Sequence, residues 1–138
     1  MTAAELLALA PAALDAGIGL ALEGFEDGAA ILRLVPPPLA VVGETGDGPV
    51  YLHGGARATC VDTAAWYAVA YEREGDWVMA DLRCDFLRMA AREPHRVEAR
   101  CLRAGRTLAT ADVRIAPWDR PGRTVAVGRA QLARIDRG

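Results

Sequence analysis

Apolar and polar positions divide the chain into two strands, one long helix and four further strands, preceded by a short helix. Thr2 and Glu5 stand at capping-box spacing ahead of Leu6, Leu7 and Leu9, predicting a short N-terminal helix broken or kinked at Pro11. Ile18 to Phe25 and Ala29 to Val35 read as a β-hairpin about Glu26-Asp27-Gly28. Pro36, Pro37 and Pro38 stop its second strand, and Gly43, Gly46, Gly48 and Pro49 make Leu39 to Leu52 an irregular loop. From Gly54 to about Glu72 the alanine-rich run lacks Pro and, beyond Gly55, lacks Gly. It predicts the one long helix, apolar nearly all round and therefore buried.

Trp77 to Arg88 then changes to period two, with Ala80, Leu82, Cys84 and Phe86 on one face and Asp81, Arg83, Asp85 and Leu87 on the other. Three more strands are expected, near 96–102, 107–115 and 124–135, joined by short turns at Ala104-Gly105-Arg106 and Asp119-Arg120-Pro121-Gly122. Short turns imply an antiparallel meander. The expected fold class is α+β: an antiparallel sheet of about six strands curled around a helix of about five turns, roughly 28 Å long.

At 138 residues, 52% hydrophobic and 25% charged, the chain is expected to fold as a single domain, residues 1–138. The net charge of -2 supplies no basic field for nucleic acid, and no apolar run is long enough for a membrane span. Every basic residue is Arg, which excludes Schiff-base lysine chemistry, and the absence of Ser excludes a serine nucleophile. Cys60, Cys84 and Cys101 lack metal or redox spacing and read as buried thiols in a reducing cytoplasm. No metal site and no cofactor is expected.

Candidate chemistry concentrates on the long helix. The neighbours of Asp62 on its own face are Ala58, Thr59, Ala65, Trp66 and Val69, so its carboxylate leaves the solvated stripe. Such a group is either a structural partner of a loop or arginine, or a general base. Gly54 and Gly55 begin the helix, where bare backbone N–H groups and the positive end of the macrodipole can polarise a carbonyl. Their separation from Asp62, about 10 Å along one helix, is too large for both to reach one carbonyl. A second, antiparallel helix from another subunit would bring them together. His53 either anchors the loop or orients substrate, and His95 lies in a loop beside Pro94.

The run His53-Gly54-Gly55, six residues, then Asp62-Thr63-Ala64 resembles the signature of PaaI-type hotdog-fold acyl-CoA thioesterases. Residues 81–88, 105–111 and 121–130 are similar to later strands of that family, so the likeness runs from about Leu32 to the C-terminus. It implies a hotdog fold, a homodimer or dimer of dimers with its site across the dimer interface, and hydrolysis of an acyl- or aryl-CoA thioester. Coenzyme A enters as substrate. By the resemblance, Asp62 is general base or nucleophile, the Gly55 N–H polarises the carbonyl and His53 stands near it, with Gly54 and Thr63 beside the substrate.

Arg88 and Arg106 are the candidate phosphate contacts, and Trp66, Val69 and Met79 suggest a hydrophobic acyl lining. Two departures stand out. Asp47 occupies the place where many relatives carry an Asn that contacts the thioester, and Met79 the place of a Ser or Thr hydroxyl. The rival readings are an acyl-CoA binding protein with little turnover, a purely structural interaction domain and a hotdog dehydratase.

Overall fold

The computed structural model describes residues 1–43 and 49–137. Its elements are α1 (Ala3–Ala8), α2 (Ala13–Ile18), β1 (Leu20–Glu26), β2 (Ala29–Leu34), a 3-10 turn (Pro38–Ala40), β3 (Val41–Gly43), β4 (Val50–Leu52), α3 (Gly54–Glu72), β5 (Asp76–Phe86), β6 (His95–Ala104), β7 (Leu108–Pro117) and β8 (Ala126–Ile135). The capping box forms as expected, with the Thr2 hydroxyl accepting the Glu5 N–H and the Glu5 carboxylate accepting the Thr2 N–H. The chain breaks at Pro11 and a second short helix, α2, follows.

Six antiparallel strands form one sheet in the order β1-β2-β6-β7-β8-β5, and α3 packs against β2, β5, β6, β7 and β8. The meander is real for β6, β7 and β8. β5 departs from it, skipping its chain neighbour β6 to pair with β8 at the sheet edge. The segment read as an irregular loop is a correction too: β3 and β4 pair as a separate two-stranded ribbon, Val41 opposite Leu52 and Gly43 opposite Val50.

The core lies between α3 and the concave face of the sheet. Cys60, Val61, Ala64, Ala68 and Val69 of α3 meet Leu32, Val97, Ala111, Ile115, Ala130 and Leu132, all buried. The small alanine side chains let helix and sheet approach closely, and Gly128 on β8 takes this to its limit. A Cβ there would lie 2.6 Å from Val61 Cγ1, so this strand position has no room for a side chain.

The expected alternation of β5 changes phase at a bulge between Met79 and Asp81. Trp77 and Met79 face inward before it, Leu82 and Cys84 after it, and Ala80, expected on the inner face, is exposed. His95 likewise is no loop residue. It opens β6, fully buried, with Nδ1 2.7 Å from the Glu93 carbonyl.

Candidate active site

One face of α3 is left uncovered by the sheet. Gly55 is exposed and Thr59, Asp62, Thr63 and Trp66 are half-buried, and their spacing of three or four residues puts them on a common stripe. Gly55 and Asp62, seven residues apart, point the same way and lie about 10 Å apart along the axis. The stripe is partly roofed by α2. Ala12, Leu14 and Asp15 from that side, Ala58, Thr59, Asp62 and Thr63 from α3, and Leu82 from β5 line a cleft of about 380 Å³.

Asp62 therefore sits where its sequence neighbours placed it, in an apolar cleft rather than on a solvated stripe. Its pKa is raised, first by burial and second by the negative charge of Asp15. Asp15, only 9% exposed, accepts a hydrogen bond from the Thr63 hydroxyl at 2.7 Å. Asp15 was not among the sequence candidates. The available signal was that it is the only charged residue between Glu5 and Glu23, in a run otherwise apolar or small.

At the start of α3, His53 is the N-cap residue, and its Nδ1 accepts the Gly55 N–H at 2.8 Å. The donor expected to polarise a carbonyl is thus held by the imidazole. Among the described residues the Gly54 N–H has no acceptor, while a Cβ on Gly54 would press on the Phe86 ring at 3.3 Å. Phe86 is held in turn under the Arg57 guanidinium, 4.4 Å from the ring centroid. Buried Arg57 donates to the carbonyls of Arg88 at 2.9 Å and Val125 at 3.3 Å, tying the helix start to the ends of β5 and β8. Sequence reading passed over this residue as well.

The remaining candidates scatter. Trp66 is half-buried and donates from Nε1 to the Trp77 carbonyl at 3.1 Å. Val69 is fully buried and Met79 packs against the core, and neither of them nor Trp66 lines the cleft; its apolar wall is Ala12, Leu14 and Leu82. Arg88 is exposed near the His53 end of α3. Arg106 is exposed in the β6–β7 turn, whose Ala104 carbonyl is bonded by Arg73 at the opposite end of α3. The anchors of the two segments, Arg57 and Arg73, stand about 24 Å apart along the helix, which places the two arginines at opposite ends of α3. Asp47 lies outside the described residues.

A larger depression of about 620 Å³ lies on the convex face of the sheet. Three of its arginines are ion-paired, Arg129 with both oxygens of Asp112, Arg83 with Asp85 and Arg100 with Glu98, and the fourth, Arg114, donates to the Pro121 carbonyl and the Thr124 hydroxyl. It is a salt-bridged outer surface, separated from Asp62 by the sheet. Among the described residues no group of His, Cys, Asp or Glu is placed to hold a metal, and no helix is long and apolar enough to cross a membrane.

The sequence profile of the thioesterase superfamily matches residues 51–127, more than half of the chain and the stretch that carries α3 and strands β5 to β7. No curated protein matches the sequence. Among solved structures, a Bordetella protein of the thioesterase superfamily is 26% identical, with a TM-score of 0.79, covering 95% of this chain and 94% of its own. The E. coli PaaI protein of the phenylacetic acid degradation operon is 22% identical, with a TM-score of 0.74, covering 91% of this chain and 86% of its own. A hypothetical thioesterase from Streptococcus pneumoniae, solved with coenzyme A, is 20% identical, with a TM-score of 0.73, covering 89% and 91%. A single long helix wrapped by a six-stranded antiparallel sheet, together with the profile match across that helix, makes this chain a hotdog-fold member of the thioesterase superfamily.

Proposed function

We propose that the protein hydrolyses an acyl- or aryl-CoA thioester, with the whole chain forming one hotdog domain that works as a cytoplasmic homodimer or dimer of dimers. The observation that carries this reading is the position of Asp62: a half-buried carboxylate of raised pKa in a cleft on the uncovered face of α3, two turns from the helix start. As general base, Asp62 takes a proton from water as the water oxygen attacks the thioester carbon. As nucleophile, it forms an anhydride that water then opens. In either course the carbonyl oxygen becomes an oxyanion, and collapse of the tetrahedral species expels the CoA thiolate, which takes up a proton.

The Gly55 N–H and the positive end of α3 are the groups suited to that oxyanion. Because Gly55 and Asp62 of one chain are too far apart, the reading pairs Gly55 of one copy with Asp62 of another. The carbonyl must take the N–H from the His53 ring, which leaves the imidazole beside the substrate. Gly54 and Thr63 flank this path. Coenzyme A bound to the Streptococcus pneumoniae relative supports a CoA ester as substrate. Arg88, at the His53 end, and Arg106, at the other end, would then serve phosphates from different copies. The reaction uses no cofactor.

One observation favours a second reading, an acyl-CoA binding protein with little turnover: the Gly55 donor is already engaged by the His53 ring. Release of CoA thiol from short, medium, long-chain and aromatic CoA esters separates the two, with Asp62→Ala and Asp62→Asn in parallel. Turnover that falls by about 10²-fold or more in both variants, with ester binding retained, is expected for the hydrolase. Thermal stabilisation by CoA esters without turnover would instead establish the binding protein.

A further inference from the structure

The element that completes the cleft is α2, and its geometry is closely set. Its last turn ends at Gly19, in the left-handed region at φ 81°, where a Cβ would lie 2.0 Å from the Val35 carbonyl oxygen. Gly19 also accepts the Val35 N–H at 2.9 Å, binding the end of α2 to the end of β2. α2 packs on α3, and the residue it places there is Asp15. A buried carboxylate without a cation is costly, and the Thr63 hydroxyl is the partner it finds. Thr63 is the residue next to Asp62.

We propose that Asp15 is a positioning residue for Asp62: bonded to Thr63, it locks α2 over the cleft face of α3 and holds its carboxylate beside that of Asp62. This rests on the hydrolase reading and deepens it. The Asp15 carboxylate in the same cleft disfavours the ionised form of Asp62, so Asp62 becomes a stronger base than a solvated aspartate. Among the described residues nothing in the cleft offsets the effect. From α2 the charged group is Asp15; from α3 the only ionisable group lining the cleft is Asp62 itself; from β5 the cleft receives Leu82, whose neighbours Asp81 and Arg83 are exposed. Burial and Asp15 are the two causes that raise Asp62, and no arginine acts in the opposite direction.

Asp15→Asn removes the charge and keeps an oxygen to accept from Thr63; Thr63→Val removes the anchor and keeps the charge; Thr63→Ser restores the hydroxyl. Two readouts are needed on the full-length protein: the Asp62 carboxyl titration followed by carbon NMR, and the pH profile of kcat/KM on the best CoA ester. In Asp15→Asn the Asp62 titration and the acid limb both move to lower pH, and kcat falls more than KM changes. Thr63→Val moves both readouts in the same direction, and Thr63→Ser returns them to the parent values. An Asp62 titration in Asp15→Asn superimposable on the parent overturns the proposal. The NMR readout does not depend on turnover: a shifted titration in a protein that hydrolyses no CoA ester supports the coupling of Asp15 to Asp62 while sinking the hydrolase reading.

Discussion

The imidazole of His53 accepts the Gly55 N–H through Nδ1 at 2.8 Å, so the cap of the central helix and the proposed oxyanion donor are one hydrogen bond. Capping and catalysis then compete for the same proton. His53→Ala leaves the first turn uncapped and is expected to lower stability by about 0.5–2 kcal/mol, whereas His53→Asn, itself a good cap, stays close to the parent. Denaturant unfolding of the two variants checks this. Equal loss in both would show that the ring contributes by packing and not by accepting the Gly55 N–H.

Gly55 is sensitive for a related reason. A Cβ there would stand 2.9 Å from His53 Nδ1 and 3.1 Å from Cε1, so alanine pushes the ring aside and crowds the approach to the donor. Gly55→Ala is expected to lose about 10²-fold in kcat, the scale of a lost oxyanion donor, with a melting temperature near that of the parent. Gly54→Ala presses only on exposed Phe86 and should keep most of the activity. Equal kinetics for the two alanine variants would remove Gly55 from the mechanism.

The pH profile carries a sign that follows from the cleft. A base works deprotonated, and both burial and Asp15 raise the Asp62 pKa. Activity is therefore lost, as pH falls, at a higher pH than an ordinary aspartate would give. The acid limb of kcat/KM against pH measures this. A limb at the ordinary aspartate position would mean that Asp62 is solvated in the working assembly.

Much of this was legible in the chain because the physics is local. The spacing of Thr2 and Glu5 marked the first cap, and the neighbours of Asp62 at three and four residues placed it off the solvated stripe. Pairing of β5 with β8 was not legible, since turn chemistry decides only which consecutive strands meet. The bulge after Met79 inserts one residue and reverses the inward face, so strict alternation misassigned Ala80. Asp15 and Arg57 gain their roles from distant segments, Asp15 from Thr63 and Arg57 from the carbonyls of Arg88 and Val125. Arg88 and Arg106 look equivalent as isolated cations and are separated only by the sheet order.

His95 makes stability depend on pH. It is fully buried, Nδ1 bonds the Glu93 carbonyl, and among the described residues Nε2 has no partner. Burial lowers its pKa from 6.5, so below pH 6.5 the unfolded chain binds a proton that the folded chain refuses. Stability contributed by the neutral ring is full above that pH and declines as pH falls toward the folded-state value. Urea midpoints of the parent and His95→Gln, measured from pH 7.5 to pH 5, should converge on acidification. Parallel curves would mean that the folded protein takes up the proton without penalty.

The last prediction joins the core to the site. Gly128 stands on β8 between Cys84 and Val113, directly beneath Val61, and a Cβ there would be 2.6 and 2.7 Å from the two Val61 methyls and 2.9 Å from the Arg83 carbonyl oxygen. Gly128→Ala is expected to cost about 1–3 kcal/mol by overpacking. Val61 precedes Asp62, so a helix pushed off the sheet carries the carboxylate with it and kcat falls too. Val61→Ala removes the methyls that clash, and the Val61→Ala/Gly128→Ala pair should lose less stability than the sum of the two single changes, by about 1 kcal/mol, and regain part of the rate. Additive losses, measured by unfolding and thiol release on all four proteins, would show that the added methyl is accommodated by strand movement around Arg83 and that α3 keeps its seat.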